Sequence, residues 1–193
     1  MDKLRQAAIN YEKLLNKKFV YTLENDITLE VVFLASHFHH LAGLQKLKDI
    51  ARVTKTPHDG LRNAINTRKI FSDISKGQIT LDDIKKSEYF SEIEDRLNHF
   101  NQLNALVEFE KVIVDFDRSL LGYNSHLWKA DYVLYKNSNT NEQINLFLGG
   151  GEGLDKKVFP LTFIISNVGQ YTNGQKVLKI LNLEITKKRH KSG

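Results

Sequence analysis

Three histidines, His37, His39 and His40, fall within four positions of the run Ala35-Ser-His-Phe-His-His-Leu-Ala-Gly-Leu-Gln-Lys-Leu47. An unperturbed imidazole titrates near pH 6.5, so each can take or give a proton at neutral pH. Metal ligation is the other chemistry open to them. A zinc site takes three or four ligands, and no nearby acidic pair or second histidine motif supplies the rest. We therefore expect no metal and no cofactor. In a short helix Phe38 and Leu41 share one side, which turns His37 and His40, three apart, onto another and leaves His39 as a structural residue.

The second half of the chain offers polar groups that could complete a site. Along Leu161–Ser166, strand alternation sets Leu161, Phe163 and Ile165 on one face and Thr162 and Ser166 on the other. Lys156 and Lys157 precede this segment; Tyr171 and Gln175 follow it. With His40 and Lys46 these groups could hold a phosphate and move protons. Trp128 and Tyr132 could stack on a base, with core packing the heavier reading for both. The cluster Gly149-Gly-Gly-Glu-Gly153 follows a strand pattern without opening a helix, so it reads as a connecting loop and not as a phosphate cradle. Walker, dinucleotide-binding, zincin and esterase motifs are absent, and with no cysteine there is no disulfide, thiolate metal site or cysteine nucleophile.

The elements that must position these groups follow from periodicity. Leu4, Ala8, Tyr11 and Leu15 predict an amphipathic helix over 2–16. Phe19–Leu23 and Ile27–Ala35, joined by Asn25-Asp26, predict a β-hairpin with Ile27, Leu29, Val31 and Phe33 on one face. Gly43 ends a short helix begun near His37, and Leu44, Leu47 and Ala51 continue on a new helical face. Thr56-Pro57 opens a helix reaching about Arg68. Thr80-Leu-Asp-Asp83 and Ser91-Glu-Ile-Glu94 have the capping-box form, the second opening a longer helix with Ile93, Leu97, Phe100, Asn104 and Val107 inward. Strands are expected at Lys111–Phe116, Tyr132–Lys136, Asn145–Leu148, Phe159–Ser166 and Val177–Thr186, and their short connections favour an antiparallel meander. The expected fold is a single α+β domain over 1–193. It comprises an N-terminal helix and β-hairpin, a central helical block (about 37–107) and a C-terminal curved antiparallel sheet (about 108–187).

The net charge of +5 is mostly carried by the tail Lys187, Lys188, Arg189 and Lys191, without which 24 basic residues face 23 acidic ones. Within the body, residues 44–69 hold seven basic residues against Asp49 and Asp59, and residues 73–98 hold seven acidic against four basic. A basic lobe beside an acidic one can steer a polyanion. No apolar run approaches the roughly 20 residues of a membrane span, and the N-terminal segment lacks the apolar core of a signal peptide. These features predict a cytoplasmic protein with no membrane partner.

The run Phe38-x-His40-Leu41-x-Gly43-Leu44-x-Lys46-Leu47 after a hairpin resembles the phage branch of the barnase/EndoU/colicin/RelE-like nuclease superfamily, in its fourth subfamily. Phe159-Pro-Leu-Thr-Phe163 and Tyr171…Gly174-Gln175 are similar to it too, as is the order of helices before sheet. The resemblance implies a metal-independent ribonuclease of phage or toxin type, associated with mobile elements. It would act on RNA, tRNA among the candidates, by attack of the 2′-hydroxyl to leave a 2′,3′-cyclic phosphate. By motif position it makes His40 the acid or base, Lys46 or Lys157 the charge-stabilising cation, and Thr162 a hydrogen-bond donor to the phosphate. His37, Tyr171 and Gln175 become substrate contacts, and a protein inhibitor becomes an expected partner. Two alternatives stay open: a non-catalytic module binding nucleic acid or protein, and a metal-dependent hydrolase centred on His37 and His40.

Overall fold

A computed structural model describes residues 2–54, 66–121, 127–138, 140–150 and 155–187. Seven strands form a closed barrel in the order β1-β2-β6-β5-β4-β3-β7: β1 (Lys17–Leu23), β2 (Thr28–Val32), β3 (Val112–Asp115), β4 (Tyr132–Asn137), β5 (Glu142–Gly149), β6 (Asp155–Asn167) and β7 (Lys176–Lys187). The expected hairpin and curved sheet are therefore one structure. β1 pairs antiparallel with β7, so the hairpin closes the sheet onto itself. β2 runs parallel to β6, with Val31 opposite Val158. Short connections govern sequential neighbours only, so they carried no information about this long-range pairing.

The hairpin turns at Asn25 and Asp26, the latter at φ +63°, a left-handed conformation that aspartate tolerates. Phe19, Tyr21, Leu23, Leu29, Val31 and Phe33 alternate into the core as expected. α1 (Lys3–Leu15) is capped by the Asp2 carboxylate, which accepts the Arg5 amide, and it buries Leu4, Ala7, Ala8, Tyr11 and Leu14. The Tyr11 hydroxyl donates to the Leu34 carbonyl at 2.9 Å, fixing this helix to the end of the hairpin.

The histidine run folds as a 3₁₀ turn (Ala35–His37), then α2 (Phe38–Leu41), then a second 3₁₀ turn (Leu44–Lys46). No helix continues through Ala51; residues 48–53 form turns instead. The helix expected from Thr56 to Arg68 lies largely outside the described residues, as do most of the tail charges; α3 spans Thr67–Ser75. α4 (Leu81–Ile84) carries the expected capping box between Thr80 and Asp83. In α5 (Ser91–His99), by contrast, Phe90 is the cap and Ser91 already helical. The expected long helix is interrupted by a 3₁₀ turn at Phe100–Gln102 before α6 (Leu103–Phe109).

One apolar core joins the inward faces of the barrel to the buried faces of the helices. A smaller cluster (Val114, Phe116, Leu127, Ala130, Val133, Phe147) lies on the opposite face of β3–β5. Among the described residues no helix is long and apolar enough to cross a membrane.

Candidate active site

A cleft of about 910 Å³ opens between α2, α5, β6 and the turn at Leu127–Lys129. His40, Lys46, Thr162 and Tyr171 line it together, so four of the seven expected site residues meet although they come from distant parts of the chain.

Gly43 is what lets the two sides approach. It has φ +79°, and a Cβ there would stand 2.8 Å from Ile93 Cγ2 and 3.2 Å from Arg96 Cδ. Only glycine adopts this conformation freely while leaving room for α5, and α5 in turn delivers Arg96 beside the histidine run.

The other side of the cleft depends on an irregularity in β6. Phe147 pairs with Thr162 and Leu148 with Pro160, so Leu161 is an extra, bulged residue. The simple alternation expected for Leu161–Ser166 fails at this point. Phe163 packs in the main core, whereas Leu161 packs with the second cluster and lines the cleft with Thr162.

Arg96 is the residue that sequence reasoning missed. It is 8% exposed, and its Nη1 donates to Thr162 Oγ1 at 3.2 Å. Among the described residues no carboxylate comes within ion-pair distance of it. Burial lowers its pKa, partly offset by the nearby Tyr171 and Glu92, yet a guanidinium stays charged at any physiological pH. A buried charge with one neutral partner is costly, and its remaining N–H groups turn to the cleft, where an anion would satisfy them. A signal was present: Ile93, Arg96, Leu97 and Phe100 occupy i, i+3, i+4 and i+7, so the arginine sits inside the apolar stripe.

His40 is exposed as a residue, but its ring is partly enclosed by the cleft, and the lost solvation lowers its pKa below the ordinary 6.5. The imidazole is therefore neutral at pH 7 and available as a base. Beneath it His39 is 2% exposed, with Nε2 2.7 Å from the Val53 carbonyl, as expected for a structural histidine. Burial lowers its pKa as well, ahead of the opposing bond to Val53. A His that is harder to protonate folded than unfolded contributes stability above pH 6.5 that is lost as pH falls through its folded pKa. Thermal melts should accordingly be level just above that pH and decline below it, and His39→Gln should flatten the decline. An unchanged slope would refute this assignment.

Lys46 Nζ lies 3.2 Å from Glu92 Oε2. With Lys48, Arg96 and Lys129 it gives the cleft four cations against the single carboxylate of Glu92. Tyr171 stands edge-on to Phe147, ring centroids 5.2 Å apart.

Three expected site residues lie elsewhere. Lys157 lines grooves on the outer face of the barrel with Glu30, five residues from Thr162 and so roughly 16 Å along the strand. His37 belongs to the 3₁₀ turn, not to α2, so helical spacing does not place it beside His40. Its Nδ1 accepts the Leu34 amide at 3.3 Å, and its ring lies 6.3 Å from that of Phe159. The Gln175 amide is bonded at both ends to the Asp117 backbone, accepting at 2.8 Å and donating at 3.0 Å, and so ties two loops together. Tyr132, a candidate base platform, is buried and receives a hydrogen bond from Lys156 at 2.9 Å. Among the described residues no three His, Asp or Glu side chains converge where they could hold a metal ion.

Of the glycine cluster, residues 151–153 lie outside the described residues, and Gly149 has a packing role. A Cβ on Gly149 would lie 2.2 Å from the Lys129 carbonyl oxygen and 2.6 Å from Leu161 Cδ1. The backbone cannot yield that much without displacing the turn. Gly149→Ala should destabilise the protein by about 1–3 kcal/mol, the usual cost of overpacking, measurable by urea unfolding; an unchanged midpoint would contradict the close packing.

The family model described as phage-Barnase-EndoU-ColicinE5/D-RelE like nuclease4 matches residues 3–192. No curated protein and no solved structure matches the chain. The match runs through both halves of the cleft and nearly the whole sequence, and the chain belongs to this nuclease family.

Proposed function

We propose that this protein is a metal-independent endoribonuclease that cuts RNA, structured RNA such as tRNA included, by internal attack of a ribose 2′-hydroxyl. The observation that carries the reading is the buried guanidinium of Arg96, free of any carboxylate partner among the described residues, facing a cleft it shares with a neutral His40. Membership of a nuclease family supports the reaction class.

In this reading the neutral His40 imidazole takes the proton from the 2′-hydroxyl. The 2′-oxygen bonds to phosphorus, the phosphorus–5′-oxygen bond breaks, and the departing oxygen takes a proton from the Tyr171 hydroxyl or from water. Arg96 and Lys46 stabilise the charge that builds on the phosphorane, and the Thr162 hydroxyl, held by Arg96, donates to a non-bridging oxygen. The product ends are a 2′,3′-cyclic phosphate and a 5′-hydroxyl. His37 and His40 line different grooves, which leaves a metal centre built on that pair without support. A toxin role, a cytoplasmic location and a protein inhibitor covering the cleft belong to the same proposal.

The test is incubation of the protein with total RNA in excess EDTA, with product ends identified by mass spectrometry. Cleavage to cyclic phosphate is expected. Cleavage that stops in EDTA and returns with added divalent metal would overturn metal independence. Salt-sensitive binding without products would identify a binding module instead.

A further inference from the structure

Trp128, the chain's single tryptophan, is 64% exposed at the mouth of the cleft. Large aromatic side chains in solvent forgo a large burial gain, and an isolated one on a mobile loop would need no explanation. The turn that carries this one is pinned by hydrogen bonds. The Ala130 amide donates to the Leu127 carbonyl at 2.9 Å, and the Asp131 amide donates to the Leu148 carbonyl at 2.8 Å. Arg118 Nη1 donates to the Trp128 carbonyl. The Gly150 amide donates to Asp131 Oδ2 at 2.9 Å. Gly149, lacking a Cβ, lets the Lys129 carbonyl pack directly onto β5. Gly149 and Gly150 thus serve to seat a turn whose exposed product is an indole. Lys129 Nζ lies over the indole, 4.5 Å from the ring centre, so one face carries a cation–π contact and a base would stack on the opposite face.

An aromatic plate with a cation over one face, on the rim of a cationic cleft, matches one chemical occupant: a nucleotide, base on the opposite face and phosphate toward the cations. We infer that Trp128 is a stacking platform for an unpaired base of the RNA next to the phosphate bound by Arg96, which makes the enzyme selective for single-stranded or looped segments. This rests on the cleft being the RNA site and adds the substrate class. A base within a duplex offers no free face, because its neighbours already cover both.

A short 2′-O-methyl RNA oligonucleotide cannot be cut by 2′-hydroxyl attack and can be titrated against the intact protein in three forms: single-stranded, annealed to its complement, and abasic at each position. Binding is read by anisotropy of a labelled strand, and stacking by the emission of the single indole using unlabelled strands. The single strand should bind and quench the emission, whereas the abasic and duplex forms should bind more weakly and leave it unchanged. Trp128→Ala should bind the single strand about 5- to 150-fold more weakly, the range for removing one base–aromatic stack. Trp128→Phe should recover most of that loss. In cleavage assays the Trp128→Ala defect should fall on KM, with kcat held, because stacking precedes the chemical step. Equal binding by wild type and Trp128→Ala with no quenching, or equal quenching by the abasic strand, would overturn the stacking role while leaving the cleft as an RNA site. Failure of the wild-type protein to bind any of the three forms would overturn the RNA site itself and the inference with it.

Discussion

The His40→Ala variant is expected to cleave RNA about 10²- to 10⁴-fold more slowly than the wild type, the span attributed to a single general acid–base group. The loss should appear in kcat, because His40 is assigned to the proton and not to the binding of charge. Its environment also sets a pH signature. Partial enclosure disfavours the imidazolium, so the pKa is held below 6.5. A base must be unprotonated to act, so the acidic limb of kcat/KM should fall at a pH below 6.5, and the same limb should be missing from the residual activity of His40→Ala. A limb centred above 6.5, or one that survives the substitution, would assign the base to another group. Equal cleavage by both proteins would remove His40 from the mechanism.

Arg96 carries the second large effect. Removing one preorganised donor to a developing anionic charge costs about 2.7–4 kcal/mol, or 10²–10³ in kcat, and Arg96→Met should show at least that. Arg96→Lys keeps the charge but replaces the planar fork by a point donor on a flexible stem, so it should recover part of the rate and not all of it. The stability of Arg96→Met separates a functional arginine from a structural one. A buried arginine with no carboxylate at ion-pair distance among the described residues is a burden on the fold, and a methionine of similar length fills the same space without the charge. Activity should therefore collapse while the urea midpoint holds or rises. A protein that loses stability and activity together would mark Arg96 as a strut for Thr162, its hydrogen-bond partner.

The parts of this molecule legible in the sequence were those set by local periodicity. The N-terminal helix and the hairpin from Phe19 to Phe33 follow from i, i+4 and i, i+2 spacing, and they lie within a few residues of expectation. The Thr80 cap was equally legible, because its box closes within one turn. The same motif at Ser91 failed because the turn at 87–90 runs straight into the helix, the Ile93 and Glu94 amides bonding the Phe90 carbonyl, so that Ser91 is already inside it. What could not be read was non-local: the β1–β7 closure, the parallel β2–β6 pair and the bulge at Leu161 all depend on partners far along the chain. The site divides in the same way. His40, Lys46, Thr162 and Tyr171, chosen by type and motif, line one cleft. His37 and Lys157 line other grooves, because a 3₁₀ turn and an outward-facing strand position send them there. Arg96 was hidden because an arginine in an apolar stripe reads first as a helix-surface residue whose stem lies along the core.

The pairing of β1 with β7 brings Lys17 against Lys187 and closes the barrel across 170 residues of sequence separation. Joining such distant segments requires closing a very long loop before any contact rewards it, which slows folding and makes it cooperative. On a ribosome, β1 and β2 must wait for β6 and β7 to be synthesised. A shortened chain lacking β7 would leave open edges on β1 and β3, its two neighbours. The topology withholds the closed barrel until β7 has been made.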